Sequence, residues 1–331
     1  MDGFAVRSID TRGASPTNPV YLHLGTTCEP VRTGMAVNDS FDAVVMLEDA
    51  QQRIDQVEVT TEVHPFKNIS RIGEDIASGD LILKAGHKLR PPDIALLAAL
   101  DILDISVYSR PRISVVPTGG ELVAIGARAL SPGEAYEIGG LMAALYIEKW
   151  GGLAAKHDIV PDDPDLIRRA IESCLDADMI ILIGGTSVGE RDYAPRVLAE
   201  LGSLLVHGVR IQPGKPTAFG SVHGIPVVCL PGYPVAELVD LCLFVRPALK
   251  KMAHQNDAMP KTTARLSRKI ASKAGYMGIV RVKLEGKEAE PVMTSGAGIL
   301  SSVARADGFV IVPEELEGIE AGETVEVLLI E

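Results

Sequence analysis

Three glycine-containing loops follow apolar, strand-like runs in the middle of the chain. They read GGTSVG at residues 184–189, PGKP at 213–216 and LPGYP at 230–234. A glycine loop between a strand and a helix presents backbone N–H groups to an anion, and the helix dipole adds to the attraction. Because loops at the carboxyl ends of parallel strands share one sheet edge, we expect the three loops to face one ligand there.

The bulk composition limits what that ligand and its protein can be. The formal net charge of −12 argues against a nucleic-acid or anionic-membrane surface, so local loops and a few cations must hold any anion. No apolar run reaches a membrane span and no signal-peptide layout is visible, which predicts a cytoplasmic protein. The scattered cysteines fit reduced core thiols rather than disulfides, and the histidines show no metal-ligand spacing.

The period of the apolar pattern divides the 331 residues into four parts. Residues 1–66 hold short alternating runs typical of a small β-rich domain, and residues 67–110 predict a mixed α/β segment with a turn, a short strand and a helix beginning at Pro91-Pro92-Asp93. Residues 111–253 alternate strand and helix, which indicates an α/β domain with a mostly parallel sheet. Residues 254–331 read as strands with glycine turns, and we expect a C-terminal β-barrel or sandwich.

Six motifs occur along nearly the whole chain in a fixed order. They are MDGFAVR at 1–7, GEDI at 73–76, PTGGEL at 117–122, GGTSVGERDY at 184–193, PGKPTAFG at 213–220 and LPGYPV at 230–235. In these residues the chain resembles the MoeA type of molybdopterin molybdenumtransferase, which also forms the C-terminal part of gephyrin. The resemblance implies a multidomain α/β plus β architecture in four parts: a β-rich domain, a dimerisation segment, a MogA-like α/β domain and a C-terminal barrel.

The resemblance also implies an activity and partners. The enzyme would insert molybdate or tungstate into the dithiolene of adenylylated molybdopterin, with Mg²⁺ and release of AMP. It would be a homodimer with its active site between subunits, in transient contact with a molybdopterin adenylyltransferase. The phosphates of such a substrate suit the three loops. The residues expected to bind it are Gly184, Gly185, Thr186, Ser187, Gly189, Pro213, Gly214, Lys215, Pro231 and Gly232. The competing interpretation of these glycines is tight strand-to-helix turns alone.

Acidic residues form the second group of candidates, because Mg²⁺ prefers carboxylate and water oxygens. Asp192 and Glu190 follow the first glycine loop and are the expected metal ligands, with Glu121 after the first strand of the α/β part. Asp162 precedes Asp163-Pro164, so helix capping and catalysis weigh equally there. Lys215 would give a point charge to a phosphate or to molybdate.

Three candidates lie in the amino-terminal parts of the chain. Asp2 and Asp75 match family positions that approach the active site from other domains or from the partner subunit. Alone, each would more often be a turn residue. Thr33 matches the TG turn of the family, and its simpler interpretation is an ST-turn.

The chain departs from the family pattern at several positions. Gly120 replaces an acid of the usual TGDEL, Glu137 and Gly139 replace an Asp and an Asn, and Gly208 and Gln212 replace lysines. Arg210 alternates with Gln212 on one strand face and would restore a cation. Family members also carry a segment before MDG that packs into the dimerisation part. Without it we expect a smaller core for residues 69–110 and weaker dimerisation.

These departures leave three hypotheses, which differ in class. The transferase is favoured by the retained Asp2, Asp75, Asp192 and Lys215. A non-catalytic paralogue that binds molybdopterin as a carrier, sensor or scaffold is favoured by the lost acid and lysines. A molybdopterin adenylyltransferase is disfavoured by the extra domains and by the MDG and GEDI motifs.

Overall fold

The computed structural model describes residues 1–185, 193–255, 258–293, 296 and 298–330. The chain divides into two compact units, Met1–Lys84 and Ala85–Glu331. Each unit is described by itself.

The first unit consists of two three-stranded antiparallel sheets, in the orders β3-β1-β4 and β2-β6-β5. Its strands are β1 (Gly3–Val6), β2 (Val20–His23), β3 (Cys28–Val31), β4 (Ala43–Met46), β5 (Ala50–Gln52) and β6 (Gln56–Val59). Both sheets contribute to one apolar core, with Phe4 and Val45 from one sheet and Val57 from the other. A β-carbon at Gly3 would lie 2.0 Å from the carbonyl oxygen of Val45, so the glycine of the MDG motif permits close strand pairing.

Residues 69–110, all of which the structure describes, contain one regular element, the helix α1 (Pro91–Ala99). The helix confirms the Pro-Pro-Asp start, and the Asp93 carboxylate accepts the backbone N–H of Arg90 at its first turn. The short strand expected in this segment does not form. A strand needs a neighbour for its backbone hydrogen bonds, and no segment of the described chain pairs with these residues.

The α/β part contains a six-stranded sheet in the order β10-β7-β11-β15-β14-β12. Its elements are β7 (Arg112–Pro117), β8 (Leu122–Val123), β9 (Ala135–Tyr136), α2 (Gly139–Lys149), β10 (Leu153–Lys156), α3 (Pro164–Glu172), β11 (Met179–Ile183), α4 (Tyr193–Leu201), β12 (Ser203–His207), β13 (Ile211–Gln212), β14 (Ala218–Val222), β15 (Ile225–Leu230), α5 (Pro234–Asp240) and α6 (Arg246–Met252). The first four strands of the sheet are parallel, and β14 runs antiparallel to both of its neighbours, so that β12 at the edge runs in the same direction as the first four. The sheet is therefore mostly parallel, as the alternating pattern predicted.

Apolar side chains cover both faces of this sheet. Residues of β11 alternate between two cores, since Ile181 packs with α2 and α5 while Ile180 packs with α3 and α4. All five residues of β11 are buried, as expected for a central parallel strand. The helical run that follows Tyr233 is divided. A π-helical segment, Leu241–Val245, lies between α5 and α6.

The C-terminal part is a closed barrel of five strands. Its elements are β16 (Lys261–Leu266), β17 (Ile270–Ala271), β18 (Met277–Glu285), β19 (Glu288–Met293), α7 (Leu300–Ala304), β20 (Gly308–Val312), β21 (Gly318–Ile319) and β22 (Thr324–Leu329). Strand β18 pairs with both β19 and β20, which closes the ring β18-β19-β16-β22-β20. Closure distinguishes a barrel from the sandwich that the sequence also allowed. The short strand β13 adds to the outside of β18 in parallel.

Candidate anion-binding site at the sheet edge

The carboxyl ends of β7, β11 and β15 lie side by side, and backbone hydrogen bonds join the loops that follow them. The N–H of Thr118 donates to the carbonyl of Ile183 at 2.7 Å, and the N–H of Gly184 donates to the carbonyl of Leu230 at 3.0 Å. The predicted convergence of the first and third glycine loops is therefore present at their first residues. These loops open at the edge where α/β sheets bind ligands.

Close packing explains why glycine stands at the start of the first loop. Gly184 has φ +99°, and a β-carbon there would lie 2.2 Å from the carbonyl oxygen of Thr118. Gly232 faces it, since its β-carbon would lie 3.5 Å from the Gly184 Cα. Gly185 has φ +61° and approaches the Thr118 hydroxyl. The tight-turn interpretation thus holds at Gly184, and Pro231 beside Gly232 is buried in the same contact.

The second loop begins with the cis peptide Gln212–Pro213 and continues through Gly214. Gly214 has φ +119°, and a β-carbon there would lie 2.5 Å from Oδ1 of Asp240. The side chain of Lys215 is exposed, with Nζ 5.9 Å from the ring centroid of Tyr276. No carboxylate of the described residues forms an ion pair with this ammonium group, which leaves its charge available to a ligand.

Two residues of the C-terminal barrel reach this loop and were missed by the sequence analysis. Tyr276 lies beside Lys215, and Nζ of Lys273 lies 5.2 Å from the centroid of the same ring. The ammonium groups of Lys215 and Lys273 thus both lie within about 6 Å of the centroid of the Tyr276 ring. The only signal in the sequence is a lysine before a Gly-Tyr turn, which does not show that the barrel docks against the PGKP loop.

Arg210 lies just before β13, where the family pattern has lysines around it. Its carbonyl accepts the N–H of Met277, so this segment belongs to the edge of the barrel sheet. The guanidinium is exposed and lies 3.7 Å from the carboxylate of Glu314. Arg210 is therefore close to the Lys215 loop in sequence but shares its charge with an acid of the barrel.

Asp162 contacts the loop that follows β7, at the same sheet edge as the glycine loops. The N–H of Gly120 donates to Oδ2 of Asp162 at 3.2 Å, while Oδ1 is buried without a hydrogen-bond partner among the described residues. The cap of α3 is the neighbouring Asp163, whose carboxylate accepts the N–H groups of Asp165 and Leu166. Asp163 and not Asp162 therefore caps α3, and the carboxylate of Asp162 is not used by the helix end.

Glu121 belongs to the same loop and lies four residues beyond the end of β7. Its side chain is exposed, and both carboxylate oxygens lie 3.1 Å from the β-carbon position of Gly119. An exposed carboxylate at this edge remains free to meet a ligand or a hydrated cation.

A group of buried acids lies beneath the loops and was not predicted. Glu137 pairs with Nζ of Lys156 at 2.8 Å and accepts the N–H of Gly140 at 2.5 Å. Glu237 is fully buried, and neither of its carboxylate oxygens has a hydrogen-bond partner in the described chain. Burial, with the charges of Glu137 and Asp240, raises the pKa of Glu237 well above its usual value. Sequence showed only two acids within the apolar run VAELVDLCLF.

Asp2 and Thr33 interact with each other in the first unit. The Asp2 carboxylate accepts the backbone N–H of Thr33 at 2.7 Å and its hydroxyl at 3.0 Å. These hydrogen bonds, the backbone one first, lower the pKa of Asp2. Asp75 lies exposed in a bend of the same unit. Asp2 does not itself lie in a turn, since it directly precedes β1, but it accepts hydrogen bonds from the turn at Thr33.

Five predicted site residues fall outside the described part of the chain: Thr186, Ser187, Gly189, Glu190 and Asp192. Within the described ranges no group of three or more His, Cys, Asp or Glu side chains could hold a metal ion. The buried Oδ1 of Asp162 is one carboxylate oxygen at this edge that a cation could still use. Across those ranges, no helix is both long and apolar enough to cross a membrane.

Comparison with protein-family models assigns three consecutive regions of the chain. Residues 1–100 match the MoeA N-terminal region (domain I and II), residues 114–251 match a family described as a probable molybdopterin binding domain, and residues 263–330 match the MoeA C-terminal region (domain IV). The three regions follow the order of the sequence motifs.

Similar proteins match over nearly the full chain. A protein of Methanocaldococcus jannaschii named for molybdopterin biosynthesis is 38% identical, over 100% of this chain and 84% of its own. Molybdopterin molybdenumtransferase 2 of Mycobacterium tuberculosis is 32% identical, over 99% of this chain and 87% of its own. A solved structure of a molybdopterin biosynthesis MoeA protein from Pyrococcus horikoshii superposes with a TM-score of 0.86 at 34% identity, covering 100% of this chain and 86% of that one.

Proposed function

The chain belongs to the MoeA family, and we propose that it is a molybdopterin molybdenumtransferase in molybdenum cofactor biosynthesis. It inserts molybdate or tungstate into adenylylated molybdopterin and releases AMP. The observation that carries this proposal is the meeting of the Gly184 and Gly232 loops at the carboxyl edge of the sheet. The exposed Lys215 of the second loop adds a cation in the same domain.

The phosphates of the substrate are held by backbone N–H groups of the glycine loops. The N–H of Gly184 already donates to Leu230, so the N–H groups offered to a phosphate begin at Gly185, whose positive φ is typical of anion-binding loops. Thr186, Ser187 and Gly189 continue the same loop and complete the nucleotide-binding surface together with Pro213, Gly214, Pro231 and Gly232. Thr33 and Asp2 are further residues of the proposed substrate-binding set, and their mutual hydrogen bonds fix both side chains.

The oxyanion binds beside Lys215. Its ammonium group and that of Lys273 both lie near Tyr276, and neither forms an ion pair within the described residues. Two unneutralised cations near one ring repel each other, and a divalent tetrahedral oxyanion relieves that repulsion. Lys273 thus supplies a charge that the family pattern places at positions 208 and 212, with Arg210 at the edge of this surface.

Mg²⁺ would be held by Asp192 and Glu190, and the partnerless Oδ1 of Asp162 is a carboxylate oxygen that would suit it as a further ligand. When bound, the metal stabilises negative charge on the departing phosphate of AMP. Glu121 orients water or ligand from the exposed side of the loop after β7. Asp75 is a further acid of the proposed catalytic set.

The active protein is a cytoplasmic homodimer that receives its substrate from a molybdopterin adenylyltransferase. Support for the dimer comes from residues 94–108, which expose a series of large apolar side chains; these are Ile94, Leu100, Ile102, Leu103, Ile105, Val107 and Tyr108. Contiguous exposed apolar surface marks protein contacts. Sedimentation of the purified protein and of Leu103→Glu tests this directly, because a charge there should convert a dimer to a monomer.

The decisive test of the function is a turnover assay. Purified protein is mixed with adenylylated molybdopterin, Mg²⁺ and molybdate, and AMP release is followed together with formation of the metal-containing cofactor. The expected result is AMP release that depends on both molybdate and Mg²⁺. Tight binding of adenylylated molybdopterin without AMP release would instead identify a binding paralogue, and the proposed activity would be withdrawn.

A further inference from the structure

A buried chain of polar contacts anchors the Lys215 loop from below. The Thr217 side chain and the Asp240 carboxyl are both inaccessible to solvent. The Thr217 hydroxyl contacts the carbonyl oxygen of Gly214 at 2.7 Å and, at its other side, Oδ2 of Asp240. Oδ1 of Asp240 has no hydrogen-bond partner in the described chain and faces Gly214. One acid of α5 is therefore linked to the residue before Lys215 through a single hydroxyl.

The number of hydrogen atoms available decides which group donates in each of these two hydrogen bonds. A threonine hydroxyl carries one hydrogen and can donate only once. The carbonyl of Gly214 can only accept, so Thr217 donates to Gly214. The remaining contact between Thr217 and Asp240 then requires that the carboxyl donates, which a carboxylate cannot do.

We infer that Asp240, in its protonated form, is a positioning residue that holds the Lys215 loop through Thr217. This inference rests on the proposed function, in which Lys215 meets the oxyanion. When Asp240 loses its proton, neither its carboxylate nor the Thr217 oxygen has a hydrogen left for the contact between them. The Thr217 hydroxyl can then donate either to Asp240 or to Gly214, but not to both. The loop keeps its backbone hydrogen bonds, from Val209 to the carbonyl of Lys215 and from Thr217 to that of Gly214, but it loses the side-chain link to α5 that helps to position Lys215.

The surroundings of Asp240 keep the proton in place. Burial raises the pKa of Asp240 to about 8. On its own helix Asp240 is followed by a π-helical segment, which widens the backbone where the acid meets the loop.

Among the described residues, no charged group on the elements packed against α5 shifts the pKa of Asp240, and the buried Arg246 at the start of α6 acts on Cys242 instead. Glu237 is buried on the same helix, and Glu137 beside α2 is paired with Lys156. In the π-helical segment, burial raises the pKa of the Cys242 thiol to about 12, so it is neutral. Arg305 after α7 is exposed and bonded to Ser301. Asp240 therefore keeps its proton at neutral pH, since burial raises its pKa and its nearest titratable neighbours are acids.

The first measurement follows the loop itself and does not require turnover. Lysines of the full-length protein are reductively methylated with ¹³C-formaldehyde, and the Lys215 signal is assigned by its absence in Lys215→Arg. In the natural protein this signal should shift between pH 6.5 and 9.5 with a midpoint near 8. In Asp240→Asn, whose amide donates to Thr217 at every pH, the signal should keep its low-pH position until Lys215 itself titrates.

Two substitutions at Thr217 separate positioning from packing. Thr217→Val removes the hydroxyl at constant shape, and the Lys215 signal should take its high-pH position throughout. Thr217→Ser keeps the hydroxyl and should retain the midpoint. Circular dichroism checks that each variant is folded. A Lys215 signal with the same pH dependence in the natural protein and in Asp240→Asn would overturn the inference.

The second measurement is AMP release as a function of pH and molybdate concentration. At pH 7 Asp240→Asn should match the natural protein, whereas Thr217→Val should raise KM for molybdate roughly five- to tenfold, the effect of one lost hydrogen bond. At pH 9 the natural protein should show the same rise and Asp240→Asn should not. Absence of AMP release with the loop midpoint present would reject the proposed function alone. If KM for molybdate had the same pH dependence in the natural protein and in Asp240→Asn, the role of Asp240 would be rejected and the proposed function would stand.

Discussion

The Oε2 atom of Glu237 lies 2.5 Å from the position that a β-carbon on Gly139 would occupy. Gly139 begins α2, where the family pattern has an asparagine, and Glu237 lies on α5. The same β-carbon would approach Ile183 at the end of β11, directly before the first glycine loop. The missing side chain at position 139 is therefore replaced in space by a carboxyl group from another helix.

This exchange predicts coupled effects on stability. Gly139→Asn alone should lower the free energy of unfolding by about 1–3 kcal/mol, because the new side chain overlaps the Glu237 carboxyl. Glu237→Ala opens that space, so the double variant should recover most of the loss. Urea denaturation of the two single variants and the double variant measures the coupling. Additive losses would show that the two residues do not share the space.

The buried acids predict that stability decreases with rising pH. Asp240 and Glu237 both have a raised pKa in the folded protein, so their protons are released on unfolding. Their contribution is complete below about pH 4, near the ordinary carboxyl pKa, and for Asp240 it is lost as the pH rises to about 8. Urea denaturation at pH 5, 6.5 and 8 should therefore show Asp240→Asn gaining on the natural protein as the pH rises.

The control for this measurement is Asp104→Asn, which changes an exposed acid. Its stability relative to the natural protein should be nearly independent of pH over the same range. A parallel decline in the natural protein and in Asp240→Asn would show that Asp240 is already charged at pH 5.

Lys215 should determine oxyanion affinity. Lys215→Ala removes the ammonium group and should raise KM for molybdate about tenfold or more, as expected for a charge-assisted hydrogen bond. Lys273→Ala should have a smaller effect, while Lys215→Arg should keep most of the affinity because the charge remains. Steady-state AMP release at varied molybdate measures all three. Unchanged affinity in Lys215→Ala, for both molybdate and adenylylated molybdopterin, removes the assigned role.

Asp162 should act through its charge as well as through Gly120. Asp162→Asn keeps an oxygen that can accept the Gly120 N–H but loses the carboxylate, so AMP release should fall while stability stays close to that of the natural protein. Asp163→Asn is the matched control, since asparagine also caps helices and the neighbouring acid does not contact Gly120. Equal activities in the two variants would assign Asp162 to the loop structure alone.

Asp192 is expected to be required for Mg²⁺-dependent turnover. Asp192→Asn should abolish AMP release at all Mg²⁺ concentrations tested and leave the thermal unfolding transition unchanged. The measurement is a Mg²⁺ titration of AMP release beside differential scanning calorimetry. Full activity would remove Asp192 from the metal site and favour Asp162 with Glu190.

The local pattern of the sequence predicted the α/β part well. The apolar run of β11 and the helix α4 after the first glycine loop occur where they were expected, because both follow from short-range periodicity. Barrel closure was left open since it depends on β18 pairing with two strands far apart in sequence. The prediction of a strand within residues 69–110 was wrong for the same reason, because strand propensity does not supply a neighbouring strand to pair with.

The site was predicted where it consists of loops and missed where it depends on packing between elements. Gly184 and Gly232 could be found from their motifs. Glu237 and Asp240 were passed over because acids on a helix usually face water, and only the docking of α5 against α2 and the Gly214 loop buries them. Tyr276 was missed because its neighbour Lys215 belongs to another domain.

The strand before the Lys215 loop is bonded to the barrel, and the strand after it lies in the central sheet. Only residues 213–217 span the interval between β13 and β14. The loop is thus held at both ends within one compact unit, by the barrel sheet on one side and by the central sheet on the other. Because Ile279 and Phe309 of the barrel share an apolar core with Leu238 of α5, the packing of the barrel fixes the position of Lys215 together with the sheet.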